Sequence, residues 1–586
     1  MTFCTELKNL GKFGRVNAID KESFNKEISV QEVILATKKV RANAAPGADG
    51  CSGRLLIFLQ SICPRLLCHA INNYILKGRC EGKAIMIKRL IFIPKPGVNK
   101  KTIKKYRPIS LLTSLLKLAD TCVVNRLVTS LENAKILPPY MFAYRSGFST
   151  TDAIISLQSF IDNANHTGRK LVILNWDVSA AFDKCSRSLV IECLKILGCS
   201  DFLLEAFSKM PTGAVARICV NLAESRFPGI SAPHACPQGQ NSSGQMFGIG
   251  MLSLLLRLNN TDISSYKIDL CIPKDISPVE AFTELQWKLE GHSGPVSSSF
   301  KKTTKEQWDL FSKTDKSKIK TTFPKRFHDQ ATCRLSDIDA TICYSDDGHL
   351  FLEYTHIEDI LNVMNIFYKF GAFSGLKINP DKTKIITLNF SLSSEEINNL
   401  TLKGFNPEMI CDGNQYFRFL GCDIKPYLLK DGATMRLNQI CDDMQNIADA
   451  FNNNCTLKGR KLVCESLMIS KLQSALTAFN LNEKDLCRVQ KIIDSFVHKK
   501  KISAGKRKYL SFTKAGLQIP KYFEKYLVAR VCLLKGLFTK IADGKMIPTW
   551  GQILVKALKF IGFRSPTLLF RSFGQADIRF IAKNLK

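Results

Sequence analysis

DATICYSDDGHLFLEY, residues 339–354, is the stretch on which the fold turns. It holds two β-rich runs joined through Asp-Asp-Gly, the residue types that close a tight hairpin. Upstream, LVILNWD (171–177) is a short, almost wholly apolar run that ends in a carboxylate, the pattern of a buried strand. One strand therefore ends in Asp177, and the hairpin turn carries Asp346 and Asp347. Alone, Y-S-D-D-G reads as a turn, and an aspartate closing an apolar run reads as a cap or loop residue. Together they predict carboxylates at one edge of a sheet.

That arrangement suits a particular chemistry. Phosphoryl transfer asks the protein mainly for positioning and charge neutralisation, and paired divalent ions supply both. Magnesium takes oxygen ligands from one or two carboxylates and completes its shell with substrate phosphates.

Working outward, the segment 44–50 (AAPGADG) is a loop, and 87–97 (IKRLIFIPKPG) is a short strand closed by a proline-bracketed lysine. A long apolar helix is expected from about Ser114, a second over 186–197 closed by Gly198, and an amphipathic one over 357–373. Residues 1–40 read as a helical extension. The polar stretch 261–332, lysine-rich over 301–326, reads as an insert whose plainest role is a solvated loop. Beyond Lys430 the chain turns helical and basic.

Lysine and arginine number 83 against 51 acids, a net charge of +32 over 586 residues. Such a surplus repels itself unless a polyanion shares it, and nucleic acid is the first candidate. Hydrophobic residues make up 45% of the chain, which excludes a disordered protein. The 21 cysteines form no C-x-x-C pair and no zinc-finger quartet, so they read as reduced core thiols. The N-terminus carries charges where a signal peptide needs an apolar core, and no apolar run has transmembrane length. An intracellular protein, cytoplasmic or nuclear, is expected, with no membrane partner. The initial methionine is compatible with a fragment of a longer reading frame.

The sequence resembles the reverse transcriptases of non-long-terminal-repeat (LINE-type) retrotransposons. The resemblance rests on ordered motifs from about Ala44 to Leu534: AAPGADGCSGRLL (44–56), IPKPG (93–97), YRPISLL (106–112), NWDVSAAFDK (175–184), CPQGQ (236–240), ICYSDD (342–347), SGLKINPDKTK (374–384) and FRFLGCDI (417–424). Two later segments, 458–476 and 514–534, are similar to the family's thumb and post-thumb.

The resemblance implies an α+β right hand of fingers, palm and thumb, with an antiparallel palm sheet of the split β-α-β kind. It divides the chain into an extension (1–40), fingers (41–170), palm (171–260), insert (261–332), palm again (333–428), thumb (429–500) and a basic post-thumb region (501–586). It implies an RNA-directed DNA polymerase that uses dNTPs, an RNA template and a DNA primer or target DNA. Asp177, Asp346 and Asp347 become the catalytic carboxylates around two magnesium ions, with manganese as the alternative ion. Phe182 becomes the aromatic under the incoming sugar that leaves no room for a 2′-hydroxyl. Lys95 and Arg107 grip the triphosphate, Gln238 and Gly239 line the nucleotide and template pocket, and Lys382 or Lys384 faces the leaving pyrophosphate. Tyr344 packs against the turn, and Asp183 caps the next helix.

Two departures stand out. The turn has Ser345 where LINE-type enzymes commonly have alanine, and P-Q-G is followed by Gln240-Asn241-Ser242-Ser243 where the family usually has Ser or Asp and then Pro. The second leaves room for another function class, a decayed or domesticated derivative that binds nucleic acid without catalysis. No endonuclease, RNase H-like carboxylate set or zinc knuckle is read in the chain, so a nuclease is expected from elsewhere or from a missing part of the element.

Overall fold

The computed structural model describes residues 2–9, 26–43, 46–76, 88–94, 106–212, 216–220, 223–224, 238–260, 263–271, 298, 332–451, 455–468, 481, 483–498 and 522–560. Of the strands, β1 (Lys88–Pro94) and β2 (Tyr106–Leu111) pair with β4 (Ala216–Val220) and β5 (Ala223–Glu224) in a four-stranded sheet of order β2-β1-β4-β5. A central five-stranded sheet has the order β11-β10-β3-β9-β8, from β3 (Leu171–Asp177), β8 (Thr341–Tyr344), β9 (Asp347–Glu353), β10 (Lys384–Leu388) and β11 (Ile410–Asp412). Two small hairpins complete the sheets, β6 (Ile268–Cys271) with β7 (Thr332–Leu335) and β12 (Phe417–Phe419) with β13 (Cys422–Ile424). The fold is mixed α and β, as expected.

The central sheet has core on both faces, which explains why β3 reads as a continuous apolar run. Val172, Leu174, Trp176, Leu350 and Leu352 face one core, shared with the helices Ser114–Asn133, Asn241–Asn260 and Ile357–Ser374. Leu171, Ile173, Phe351, Ile386 and Leu388 face the other, shared with Thr150–Thr167, Leu429–Phe451 and Glu483–His498. Trp176 is fully buried beside Phe367, with ring centroids 5.2 Å apart.

The helix ends follow the sequence. Ser149 and Asp152 form a capping box at the start of Thr150–Thr167, and Gly168 ends that helix at φ 69°. Ser186 caps Arg187–Ile196 by accepting from the Leu189 N–H, the role the sequence had suggested for Asp183, which lies within the short helix Ala181–Lys184. Residues 263–271, expected within the insert, are bound to the central sheet: Tyr266 N donates to Phe351 O at 2.9 Å, and Arg169 ties Asp269 to Glu353. The lysine-rich segment 301–326 lies outside the described residues. Among the described residues every cysteine is free, and no single helix is long and apolar enough to cross a membrane.

Candidate active site

The three aspartates meet at one end of the central sheet. Strand register places Asp177 directly opposite Asp347 across the β3–β9 ladder, and Asp347 opposite Tyr344 across β8–β9. The turn is therefore the two residues Ser345 and Asp346, and Asp347 is already the first residue of β9. Ser345 takes φ 60°, the left-handed conformation that the first position of such a turn demands. The glycine of the motif serves another purpose: Gly348 faces Trp176, and a Cβ at position 348 would run into the indole ring.

Asp347 bears the charge of both neighbouring carboxylates. Burial, reinforced by Asp346 and Asp177, pushes Asp347 up to about 6, with Lys382 partly offsetting them. Hard oxygen donors crowded in this way fit a divalent cation, whose charge would remove the repulsion. Among the described residues no group of three acidic, histidine or cysteine side chains is placed to hold a metal ion. The Asp177 carboxylate instead accepts from Lys382 Nζ at 3.1 Å to each oxygen and from Asn379 Nδ2 at 3.3 Å. Lys382 is largely exposed, so water screens this pair, and a cation can displace it at little cost. Lys384 pairs in register with Asn175, behind the carboxylates.

One rung deeper on the same face lies a second polar pair that sequence reasoning missed. Asn175 is opposite His349, with Nδ2 2.9 Å from Nε2. His349 is fully buried, and burial pushes it down to about 3, so it is neutral. Its ring packs edge-on against Phe419 at 4.3 Å and tilted to Phe417 at 5.8 Å, which joins the β12–β13 hairpin to the carboxylate strands.

Phe182 is half-buried within an aromatic row, 5.4 Å from Phe247 and 6.4 Å from Tyr144. Tyr144 was not singled out from the sequence. The segment leading to it runs along β8: Cys343 N donates to Tyr140 O at 2.8 Å and Phe142 N to Cys343 O at 2.9 Å. Burial raises the Tyr144 hydroxyl's pKa, a hydrogen bond with Ser345 opposes that, and nearby Asp346 adds to it, so the group stays protonated.

Gln238 and Gly239 lie against β2, where Ser110 N donates to Gln238 O at 2.6 Å. Gly239 has φ 103°, and a Cβ there would meet Ser110 O at 2.6 Å, so both conformation and space demand glycine. Arg107 is exposed on β2, three residues from Ser110. Lys95 lies outside the described residues.

The unusual residues after P-Q-G find their partner in Asp120, fully buried and also missed from sequence. Its carboxylate accepts from Gln240 Nε2 at 3.1 Å and from Ser242 N at 3.0 Å, while Asn241 Nδ2 donates to Thr121 Oγ1 at 2.7 Å. This substituted segment is thus an anchor for the start of the Asn241–Asn260 helix.

Residues 93–272 match the family described as reverse transcriptase (RNA-dependent DNA polymerase). The matched span holds Asp177, Phe182, Gln238 and Gly239; the turn with Asp346 lies past it, across the insert. The probable RNA-directed DNA polymerase from transposon BS of Drosophila melanogaster is 31% identical over 172 residues, 29% of this chain and 19% of the relative. The RNA-directed DNA polymerase from mobile element jockey of Drosophila funebris is 29% identical over 159 residues, 27% of this chain and 17% of the relative. The Pol polyprotein from the type-1 retrotransposable element R1 of Bradysia coprophila is 24% identical over 265 residues, 44% of this chain and 25% of the relative. Over residues 93–272 the chain carries a reverse transcriptase domain. It spans a quarter or less of the length of these relatives.

Proposed function

We propose that this chain is the polymerase core of a non-LTR retrotransposon and extends a DNA primer on an RNA template with dNTPs. The observation that carries the proposal is the register of Asp177 against Asp347, with Asp346 in the adjoining turn. The central sheet is the palm in this reading. The four-stranded sheet belongs to the fingers, and the helices Leu429–Phe451 and Glu483–His498 to the thumb.

Asp177 and Asp346 would hold the divalent ions, magnesium first and manganese as the alternative, and Asp347 completes the acidic edge. Bound there, such ions activate a primer 3′-hydroxyl and neutralise the leaving pyrophosphate. The protein's own residues orient the reactants. Phe182 lies under the sugar, Lys95 and Arg107 hold the triphosphate from the fingers, and Gln238 with Gly239 borders the nucleotide and template. Lys382, which here holds the Asp177 carboxylate, would face the pyrophosphate. The +32 charge supplies the phosphate contacts along an RNA–DNA hybrid. Work inside the cell, with endonuclease activity from elsewhere or from a further part of the element, completes the proposal.

Comparing dNTP with rNTP incorporation by the native chain and by Phe182→Val tests it. The native chain should strongly prefer dNTPs, and the variant should lose about tenfold or more of that preference, because a smaller side chain admits the 2′-hydroxyl. Equal use of both sugars by the native chain would contradict the assignment.

A further inference from the structure

Tyr144 sits between the carboxylate turn and the aromatic that faces the sugar, and touches both. Its hydroxyl stands 2.8 Å from Ser345 Oγ in a single hydrogen bond. Its ring meets the Phe182 ring at 84°. Three further features hold it there. Tyr144 takes φ 61°, a conformation that L side chains seldom adopt, so surrounding contacts must impose it. Gln245 Nε2 donates to the Tyr144 carbonyl. A Cβ at Gly244 would collide with the tyrosine ring, so only glycine lets the ring lie on that helix.

Ser345 is also the residue that departs from the alanine common in LINE-type turns, and its hydroxyl is the atom Tyr144 engages. It too is held at positive φ. Two non-glycine residues in left-handed conformations, joined hydroxyl to hydroxyl, form a bridge between segments 201 residues apart in sequence.

We infer that Tyr144 is a positioning residue with two separable parts: its hydroxyl, through Ser345, fixes the turn that carries Asp346, and its ring backs Phe182 and so sets sugar discrimination. The inference rests on the polymerase reading. If the ring is removed, Phe182 can tip back toward the vacated space and make room for a 2′-hydroxyl. If only the hydroxyl is removed, the turn loses its tether while the gate keeps its support.

The test uses the full chain and four variants: Tyr144→Phe, Ser345→Ala, the double variant, and Tyr144→Ala. Each single hydroxyl deletion should lower kcat about tenfold with the dNTP KM changed less than about twofold, and the double variant should be no worse than the poorer single, since both delete one shared bond. Tyr144→Phe should keep native dNTP-over-rNTP discrimination, whereas Tyr144→Ala should lose about tenfold of it. Additive single effects, or unchanged discrimination in Tyr144→Ala, would overturn the inference. Mn2+ affinity of the same proteins, read by electron paramagnetic resonance, gives an answer independent of extension. A native chain that fails to extend would overturn the polymerase reading. The hydroxyl bridge would still be supported by equal, non-additive weakening of Mn2+ binding in the hydroxyl variants, and overturned by unchanged binding.

Discussion

The two faces of the central sheet are built from the same strands to opposite ends. On one face Val172, Leu174 and Trp176 are wholly buried among apolar neighbours. On the other, Asp177 with Asp347 and Asn175 with His349 interrupt the apolar rows at the end where β3 stops. Alternation along a strand lets adjacent residues serve these two purposes. Trp176 anchors the strand in the first core while its neighbour Asp177 stands at the carboxylate edge, so the packing face fixes the position of the carboxylate face.

The difference predicts a split between activity and stability. Asp346→Asn should lower primer extension on the order of a thousandfold or more while hybrid binding stays nearly intact. Its thermal midpoint should hold or rise slightly, since one of the charges crowding Asp347 is gone. Equal loss of binding and extension would break the comparison. Trp176→Ala on the packing face should cost about 3–5 kcal/mol of stability, read by denaturant titration, because the cavity falls among rigid neighbours.

A pH dependence sharpens the comparison. His349 titrates near 3 when folded against an ordinary 6.5, so its contribution is whole above 6.5 and is lost as pH falls below that, by up to about 1.4 kcal/mol per pH unit. Asp347, raised from 3.8 to about 6, acts in the opposite sense: its contribution is present at low pH and is lost as pH rises from about 4 to 6. In metal-free buffer the two slopes oppose each other in that window. His349→Leu should leave the Asp347 slope alone, so that, relative to the native chain, stability falls as pH rises from 4 to 6. An identical pH profile for variant and native chain would show that His349 is not held neutral.

Local chemistry was readable from the sequence, and long-range partnership was not. The apolar run 171–177 and the turn at 345–346 were legible because strand period and turn chemistry act within a few residues. The register of the turn was misread by one residue, with Asp347 assigned to the loop, because Gly348 signals a turn and instead makes room for Trp176. Asp120, His349 and Tyr144 carry no local signature. Their partners lie 122, 174 and 201 residues away. Asp152 was equally silent: besides its capping role it accepts the Trp550 indole N–H at 2.8 Å, which docks the Thr549–Phe560 helix on the Thr150–Thr167 helix. In the altered segment 240–243, which suggested decay, Gln240 and Ser242 bond Asp120 and Asn241 bonds Thr121.

The most direct measurement is primer extension by the purified chain on an RNA template with magnesium and dNTPs, beside Asp177→Ala. Extension by the native chain, with none by the variant at equal hybrid binding, is the result predicted. Tight hybrid binding without extension by either protein, with manganese also tried and candidate partners added, would contradict the polymerase assignment and point to a derivative that only binds nucleic acid.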